Sequence, residues 1–322
     1  METEKKITLS IVSPIYNERD SIGIFLREIK QALSGLRLPY EIIIVDDGST
    51  DGSWGVLQDI SRQNDFMQIV RAIRLSRNFG KEAAIAAGLE MSCGDTVIVM
   101  DGDLQHPPSM IPDMIRLWEK GRGKVDVVEA VKQERTNESI FHTCAARLFY
   151  SAFSRLSGFR MNNTTDFKLM DRRVVNAWLK MREHNLFFRG MTEWLGFRHI
   201  EIPFVAPDRR NGRSKWSLLS LMKMSTNAIS AFTSVPLQLV TIFGFVFLLF
   251  AFLLGAEAFW MKITGRALEG FTTVNLLLLI IGSFLMISLG IIGIYIGRIY
   301  EEVKQRPRYI KDETIEDVNR ES

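Results

Sequence analysis

The sequence predicts an α/β protein, a doubly wound and mostly parallel sheet followed by an interfacial helix and two transmembrane helices. Three observations predict it. Short apolar runs alternate with helically spaced segments from residue 7 to residue 131. Three of those runs end abruptly in polar, mostly acidic clusters: Pro14 to Glu18, Asp46 to Asp51, and Asp101 to Gln105. Two long stretches nearly free of charge, residues 237–260 and 272–297, fill most of the last third. Strand–helix alternation favours parallel pairing through right-handed crossovers. About 20 apolar residues in a helix are enough to cross the hydrocarbon core of a bilayer.

The elements follow in order. Residues 7–14 read as a first strand. Residues 21–34 then have helical spacing, with Ile22, Phe25, Leu26, Ile29 and Leu33 on one face. Residues 40–45 form a β-branched run of the kind found in sheets covered on both faces, and a helix through Val56, Leu57 and Ile60 follows. A strand over 69–75 precedes an alanine-rich helix over 81–91. The run Val97 to Met100, bounded by Gly94-Asp95 and Pro107-Pro108, is a buried strand ending in Asp101-Gly102-Asp103. A helix over 109–120 and a strand over 125–131 come next, then a helix over 139–157. Order becomes less regular beyond that, with a strand over 165–170, helices over 173–181 and 188–195, and a short strand over 199–205. Residues 1–210 thus make a first domain large enough for a substantial core.

Residues 211–234 form an amphipathic juxtamembrane segment. Trp216, Leu218, Leu219, Leu221 and Met222 give its helix an apolar side, and Lys215 and Lys223 suit lipid headgroups. A helix packed on the first domain would show the same pattern. Residues 235–297 hold the two spans and a short outer linker; in the first span Glu257 alone is charged. Basic residues crowd the outer flanks, Arg209, Arg210, Arg213 and Lys215 before and Arg298, Lys304, Arg306, Arg308 and Lys311 after. The positive-inside bias puts both flanks, and with them the first domain, on the cytoplasmic face of the inner membrane. The sequence start shows no signal peptide, which agrees. Residues 298–322 read as a polar cytoplasmic tail, mobile from residue 312. Cys93 and Cys144 lack metal or C-x-x-C spacing and read as packing residues. A net charge of +3 gives no reason to expect nucleic acid.

In a doubly wound sheet the carboxyl ends of the strands converge on one crevice, where ligands bind. Two carboxylates separated by Gly102 can share a hard cation such as Mg²⁺; alone, such a pair also occurs in solvated turns. The first turn, Pro14 to Glu18, has no glycine, so a dinucleotide fingerprint is excluded, and no G-x-x-x-x-G-K-[ST] occurs. Phosphate neutralisation must come from metal and basic side chains.

The segments Pro-Ile-Tyr-Asn-Glu, Val-Asp-Asp-Gly-Ser-Thr-Asp and Asp-Gly-Asp-Leu-Gln resemble the nucleotide-sugar core of glycosyltransferase family 2, which has the GT-A fold. Leu75 to Glu82, Thr165 to Asp171, Arg209 to Trp216 and Gly290 to Tyr309 narrow the resemblance to polyprenyl-phosphate glycosyltransferases. That branch includes bactoprenol glucosyltransferases and dolichol-phosphate mannose synthases. The resemblance implies that Pro14, Tyr16, Glu18 and Asp46 hold the nucleoside with support from Asp47, and that Arg77 and Lys81 serve the donor side. It implies Mg²⁺ or Mn²⁺ on Asp101 and Asp103, with Gln105 beside the donor or the metal. Asp166 matches the position assigned to catalysis, as base or as orienting group; the structural alternative is a carboxylate paired with Lys168 or Arg172. Arg209, Arg213, Ser214 and Lys215 would meet the lipid phosphate. Gly102 stands where alanine is usual and is expected to loosen the turn. His106 replaces an acidic or amide residue and is expected at the surface or behind the ligands.

The function implied is inverting transfer of a sugar, glucose by preference, from a UDP-sugar to undecaprenyl phosphate. Homo-oligomers and a separate flippase are the expected partners. Alternatives are another donor (GDP-mannose, UDP-GlcNAc or an aminoarabinose nucleotide), a processive polysaccharide synthase, or an inactive scaffold. Residues 189–194 lack the Q-x-x-R-W of a processive enzyme.

Overall fold

The computed structural model describes residues 8–36, 38–63, 70–133, 164–181, 183, 186–205, 235–264 and 270–315. The helix expected over 139–157 and the juxtamembrane segment over 211–234 lie outside those residues, as do Cys144, Arg209, Arg213, Ser214 and Lys215. The chain divides into two units, one of residues 1–154, 159–215 and 307–322, the other of residues 155–158 and 216–306.

The first unit is a GT-A-like mixed sheet with helices on its faces. Its parallel strands are β1 (Leu9–Ile15), β2 (Tyr40–Asp46), β3 (Val70–Leu75) and β4 (Thr96–Val99). Between them run α1 (Ile22–Leu33), α2 (Ser53–Ser61) and α3 (Lys81–Met91). A 3₁₀ turn (Pro108–Met110) leads into α4 (Ile111–Lys120), then β5 (Val127–Lys132). The strand β6 (Thr164–Asp171) is followed by α5 (Arg172–Leu179), α6 (Phe188–Trp194) and β7 (His199–Phe204). A last strand, β8 (Lys311–Ile315), gives the order β7-β5-β6-β4-β1-β2-β3-β8.

Strand β6 runs antiparallel between β4 and β5, so the sheet reverses direction just beyond the Asp101–Asp103 turn. The strands are β-branched and buried on both faces: Ile11, Val12, Ile42 to Val45, Ile73 and Val97 to Val99 are all inaccessible. Helix α1 covers them with the predicted stripe of Ile22, Phe25, Leu26, Ile29 and Leu33. Helix α3 is rich in alanine because it lies close to the sheet; a Cβ on Gly88 would collide with Val12.

Two expectations are corrected here. The polar tail is not mobile at residues 311–315, which pair antiparallel with β3. Backbone pairing, not burial, makes this strand, since four of its five residues are exposed; the sequence pattern gave no sign of it. Cys93 is exposed rather than packed, its thiol near the Arg71 guanidinium.

The second unit holds α7 (Val235–Ile263) and α8 (Phe271–Lys304), of 29 and 34 residues. Their candidate spans are Val240–Met261 and Ile280–Lys304. Phe243 and Phe247 pack on Phe284, at centroid distances of 6.0 and 4.9 Å. Most other apolar side chains point outward, Phe252 being 73% and Met286 70% exposed. An apolar surface of this extent needs lipid or protein around it.

Candidate active site

The crevice is built from strand ends. After β1 the backbone turns through Asn17, at φ 57°, a left-handed conformation that asparagine tolerates. Its amide donates to Ser49 Oγ at 2.9 Å and its side-chain oxygen accepts from the Thr50 amide at 2.9 Å, tying the first acidic turn to the second. The Glu18 carboxylate accepts from the Ser21 hydroxyl. Burial, with added repulsion from Asp103, Asp51 and Asp101, pushes the Glu18 carboxyl above its ordinary range. Tyr16 is exposed beside this turn, and Pro14 lies within β1.

At the end of β2, Asp46 is inaccessible and its Oδ1 accepts from the Ser49 amide at 2.9 Å. Its Oδ2 accepts no hydrogen bond, and Arg74 Nε stands 3.8 Å away. Burial raises this carboxyl too. Asp47 differs, because both its oxygens are used: they accept the Phe79 and Gly80 amides at 2.7 and 2.9 Å. Asp47 therefore pins the loop that delivers Lys81. Gly48, at φ +67°, permits the close approach, since a Cβ there would lie 2.5 Å from the Arg77 carbonyl carbon. The Arg77 guanidinium lies 4.1 Å from the centre of the Phe79 ring.

At the end of β4, the Asp101 amide donates to His106 Nδ1 at 3.0 Å, and the His106 ring stacks on Phe167 at 5.2 Å. His106 is buried, not at the surface, and burial lowers its pKa, so it is a neutral acceptor that shapes the acidic turn. Gly102 does not loosen that turn. A Cβ there would meet Ile15 Cγ2 at 2.6 Å, so glycine lets the turn press against β1. Asp103 Oδ1 and Oδ2 accept the Gln105 amide and side-chain Nε2 at 3.0 and 2.7 Å.

An ionic cluster joins this turn to β6. Lys81 Nζ lies 2.7 Å from Asp101 Oδ1 and 2.5 Å from Asp166 Oδ2. Arg189, in the first turn of α6, grips Asp166 with a fork: Nε to Oδ1 at 2.7 Å and Nη2 to Oδ2 at 3.0 Å. Burial works to raise the Asp166 carboxyl, but Arg189 and Lys81 outweigh it and hold the group far below the carboxylate range. The partners suggested by sequence, Lys168 and Arg172, are engaged elsewhere. Lys168 pairs with Glu129 at 2.7 Å, and Arg172 donates to the Gly94 carbonyl and Ser92 Oγ at 2.7 and 3.1 Å. Glu82, next to Lys81, accepts the Phe188 amide at 2.7 Å and so fixes the start of α6. Burial, then the Asp166 charge, pushes Glu82 up to about 7.

Arg189 and Glu82 escaped the sequence reading, although residue 189 lay in the segment searched for Q-x-x-R-W. Asp101 and Asp103 offer hard oxygen donors on one turn, as a small divalent cation requires. A second cluster, Glu129, Glu193 and His199, brings one ligand atom of each within 4.8 Å of the others. It is a different place, on β5, α6 and β7, and the Lys168 ammonium already supplies a cation to Glu129.

Residues 10–184 match the sequence profile of Glycosyl transferase family 2. An uncharacterised glycosyltransferase of Synechocystis is 37% identical over 306 residues, 94% of each chain. A prophage bactoprenol glucosyl transferase homologue of Escherichia coli is 33% identical over 307 residues, 94% of this chain and 97% of the relative. The bactoprenol glucosyl transferase of Shigella phage SfII is also 33% identical, over 94% of this chain and 96% of its own. Among solved structures, mannosyl-3-phosphoglycerate synthase of Rubrobacter xylanophilus aligns at a TM-score of 0.49 with 20% identity, covering 70% and 72% of the two chains.

Proposed function

The chain belongs to glycosyltransferase family 2, and on that premise we propose that it transfers glucose, with inversion, from UDP-glucose to undecaprenyl phosphate at the cytoplasmic face of the inner membrane. The observation that carries this reading is the meeting of the Asp101–Asp103 turn with Asp166 through Lys81, with Asp46 at the end of the nearby strand β2. The relatives named for bactoprenol glucosyl transfer support a glucosyl group and a polyprenyl-phosphate acceptor.

In this reading Pro14, Tyr16, Glu18 and Asp46 hold the nucleoside; Asp46 Oδ2 is buried and accepts no hydrogen bond from the protein. Asp101 and Asp103, flanked by Gln105, hold Mg²⁺ or Mn²⁺, and the bound cation stabilises charge on the departing diphosphate. Lys81 and Arg77 serve the donor phosphates. Asp166, paired on both oxygens and held ionised, suits orienting the sugar better than taking a proton. No strong base is needed, because a lipid phosphate with a second pKa of about 6 is mostly ionised near neutrality. One of its oxygens attacks the anomeric carbon as the bond to the diphosphate breaks on the opposite face. Arg209, Arg213, Ser214 and Lys215, which precede the first span in the sequence, receive that phosphate.

The domain plan is a catalytic domain over 1–210, a juxtamembrane segment over 211–234, two spans within 235–297 and a cytoplasmic segment over 298–322. One unit contains chain from before and after both long helices, which supports an even number of crossings and both flanks on one face. Self-association and a separate flippase complete the proposal, since two spans per chain are too few to carry a glycolipid across. The test is a donor screen: membranes bearing the protein, undecaprenyl phosphate, divalent metal and radiolabelled UDP-glucose, GDP-mannose or UDP-GlcNAc. A labelled lipid from UDP-glucose is expected; label from another donor alone would replace the sugar, and no labelled lipid from any of them would remove the reading.

A further inference from the structure

We propose that Glu313, carried by β8, is a positioning residue for the nucleoside pocket, holding Arg74 away from Asp46 so that Asp46 can read the base. The proposal rests on the donor reading above for the role of Asp46. Its own ground is the geometry at the sheet edge.

In the β3–β8 ladder Glu313 stands directly opposite Arg74, where side chains of neighbouring strands interact most strongly. One carboxylate there collects three donors. Trp54 Nε1 donates to Oε2 at 2.7 Å, Gln58 Nε2 to Oε2 at 3.3 Å, and Arg74 Nη1 to Oε1 at 3.4 Å. The Trp54 bond is buried at its donor end and fixes where the carboxylate sits. Arg74 reaches the other way as well, with Nη2 donating to the Ser49 carbonyl at 3.4 Å and Nε 3.8 Å from Asp46 Oδ2. That last distance is too long for a hydrogen bond. Arg74 is thus shared between a carboxylate outside the pocket and one inside it, and the outer one takes the hydrogen bond. Without the pull of Glu313, the guanidinium closes on Asp46 Oδ2, the buried oxygen that accepts no hydrogen bond. An Asp46 occupied in this way cannot accept from the N3–H of uracil. Cytosine presents an acceptor N3 in place of that hydrogen, which a free carboxylate repels, so covering the oxygen does not weaken its binding.

The experiment uses the full chain in detergent and titrates UDP, CDP and GDP, with Mn²⁺ present, into the wild type, Glu313→Gln and Glu313→Ala. The Gln variant can still accept from Trp54 but attracts Arg74 less, so it keeps the fold while weakening the restraint. The expected result is a loss of about tenfold in UDP affinity for both variants, the size of one hydrogen bond to a charged group, with no loss of CDP affinity. Unaltered binding of every nucleotide by Glu313→Gln would overturn the proposal. Equal loss of all three would also overturn it, by making β8 a general support. If the wild type prefers GDP or CDP, the uridine reading fails, and the role of Glu313 is decided by whether Glu313→Gln shifts that preferred nucleotide.

Discussion

The carboxylates at the parallel strand ends and the carboxylate of β6 stand under opposite electrostatic conditions. Glu18 and Asp46 are raised by burial; Glu18 has a serine hydroxyl as its partner, and Asp46 keeps an unbonded oxygen. Asp166, buried like Asp46, is saturated by Lys81 and Arg189 and is driven down instead. Desolvation disfavours charge at both places, and the cations decide the sign. The first group gains from an incoming cation or N–H donor, so it is suited to binding. The second already has its counter-ions and is suited to holding a fixed negative charge. Lys81 joins the two, touching Asp101 on one side and Asp166 on the other.

Four substitutions test this division. The largest effect is expected from Asp103→Asn, which removes a proposed metal oxygen: transfer should fall about a thousandfold while the protein still fractionates with membranes. Activity within tenfold of wild type would take Asp103 out of the metal site. Next is Arg189→Gln, which leaves Asp166 with Lys81 alone. Breaking a buried pair costs about 3–5 kcal/mol, and the part-exposed Arg189 side chain reduces this to about 2 kcal/mol; turnover should drop about a hundredfold. The sign of the pH effect follows from the depressed carboxyl. Its stabilisation is present above the unfolded-state pKa and is lost as pH falls, so removing a cation moves that loss upward. An acid limb in kcat lying at higher pH than in the wild type is the expected signature, and an unchanged profile would mean that Arg189 does not set the Asp166 charge.

Glu82→Gln reads the opposite case. A carboxyl raised to about 7 favours the fold below its unfolded value, and that contribution is lost as pH rises through 7. The variant should therefore unfold later than wild type at pH 8, by roughly 3 kcal/mol, and the gap should close near pH 5. A gap independent of pH would show that the charge is not responsible. Gly102→Ala should have the smallest effect, about 1 kcal/mol or about 3 °C, because Ile15 Cγ2 must move to admit a methyl. A rise in melting temperature would show that the turn is looser than its contacts indicate.

Much of this was legible in the sequence because it is local. A β-branched run that stops at Asp46-Asp47-Gly48 or Asp101-Gly102-Asp103 announces both a strand and what stands at its end. The Ile22-to-Leu33 stripe announces the covering helix. Arg189 was not legible because its partner lies on β6, and only the packing of α6 on that strand joins them. The surroundings of His106 were hidden for the same reason, since Phe167 comes from β6 as well. Strand β8 failed for another reason: Lys-Asp-Glu-Thr-Ile has almost no apolar pattern, and its pairing comes from a neighbour more than two hundred residues away.

That pairing has a consequence for the order in which the molecule can be made. Strand β8 lies beyond both long apolar helices, so a ribosome completes α7 and α8 before the outer edge of β3 finds its partner. Until then β3 presents an open row of backbone N–H and C=O groups, the kind of edge that recruits strands from other chains. Delivery of the helices to the bilayer and closure of the sheet are thus successive events in biogenesis. A nascent chain stalled between them carries a nearly finished enzyme with one adhesive side.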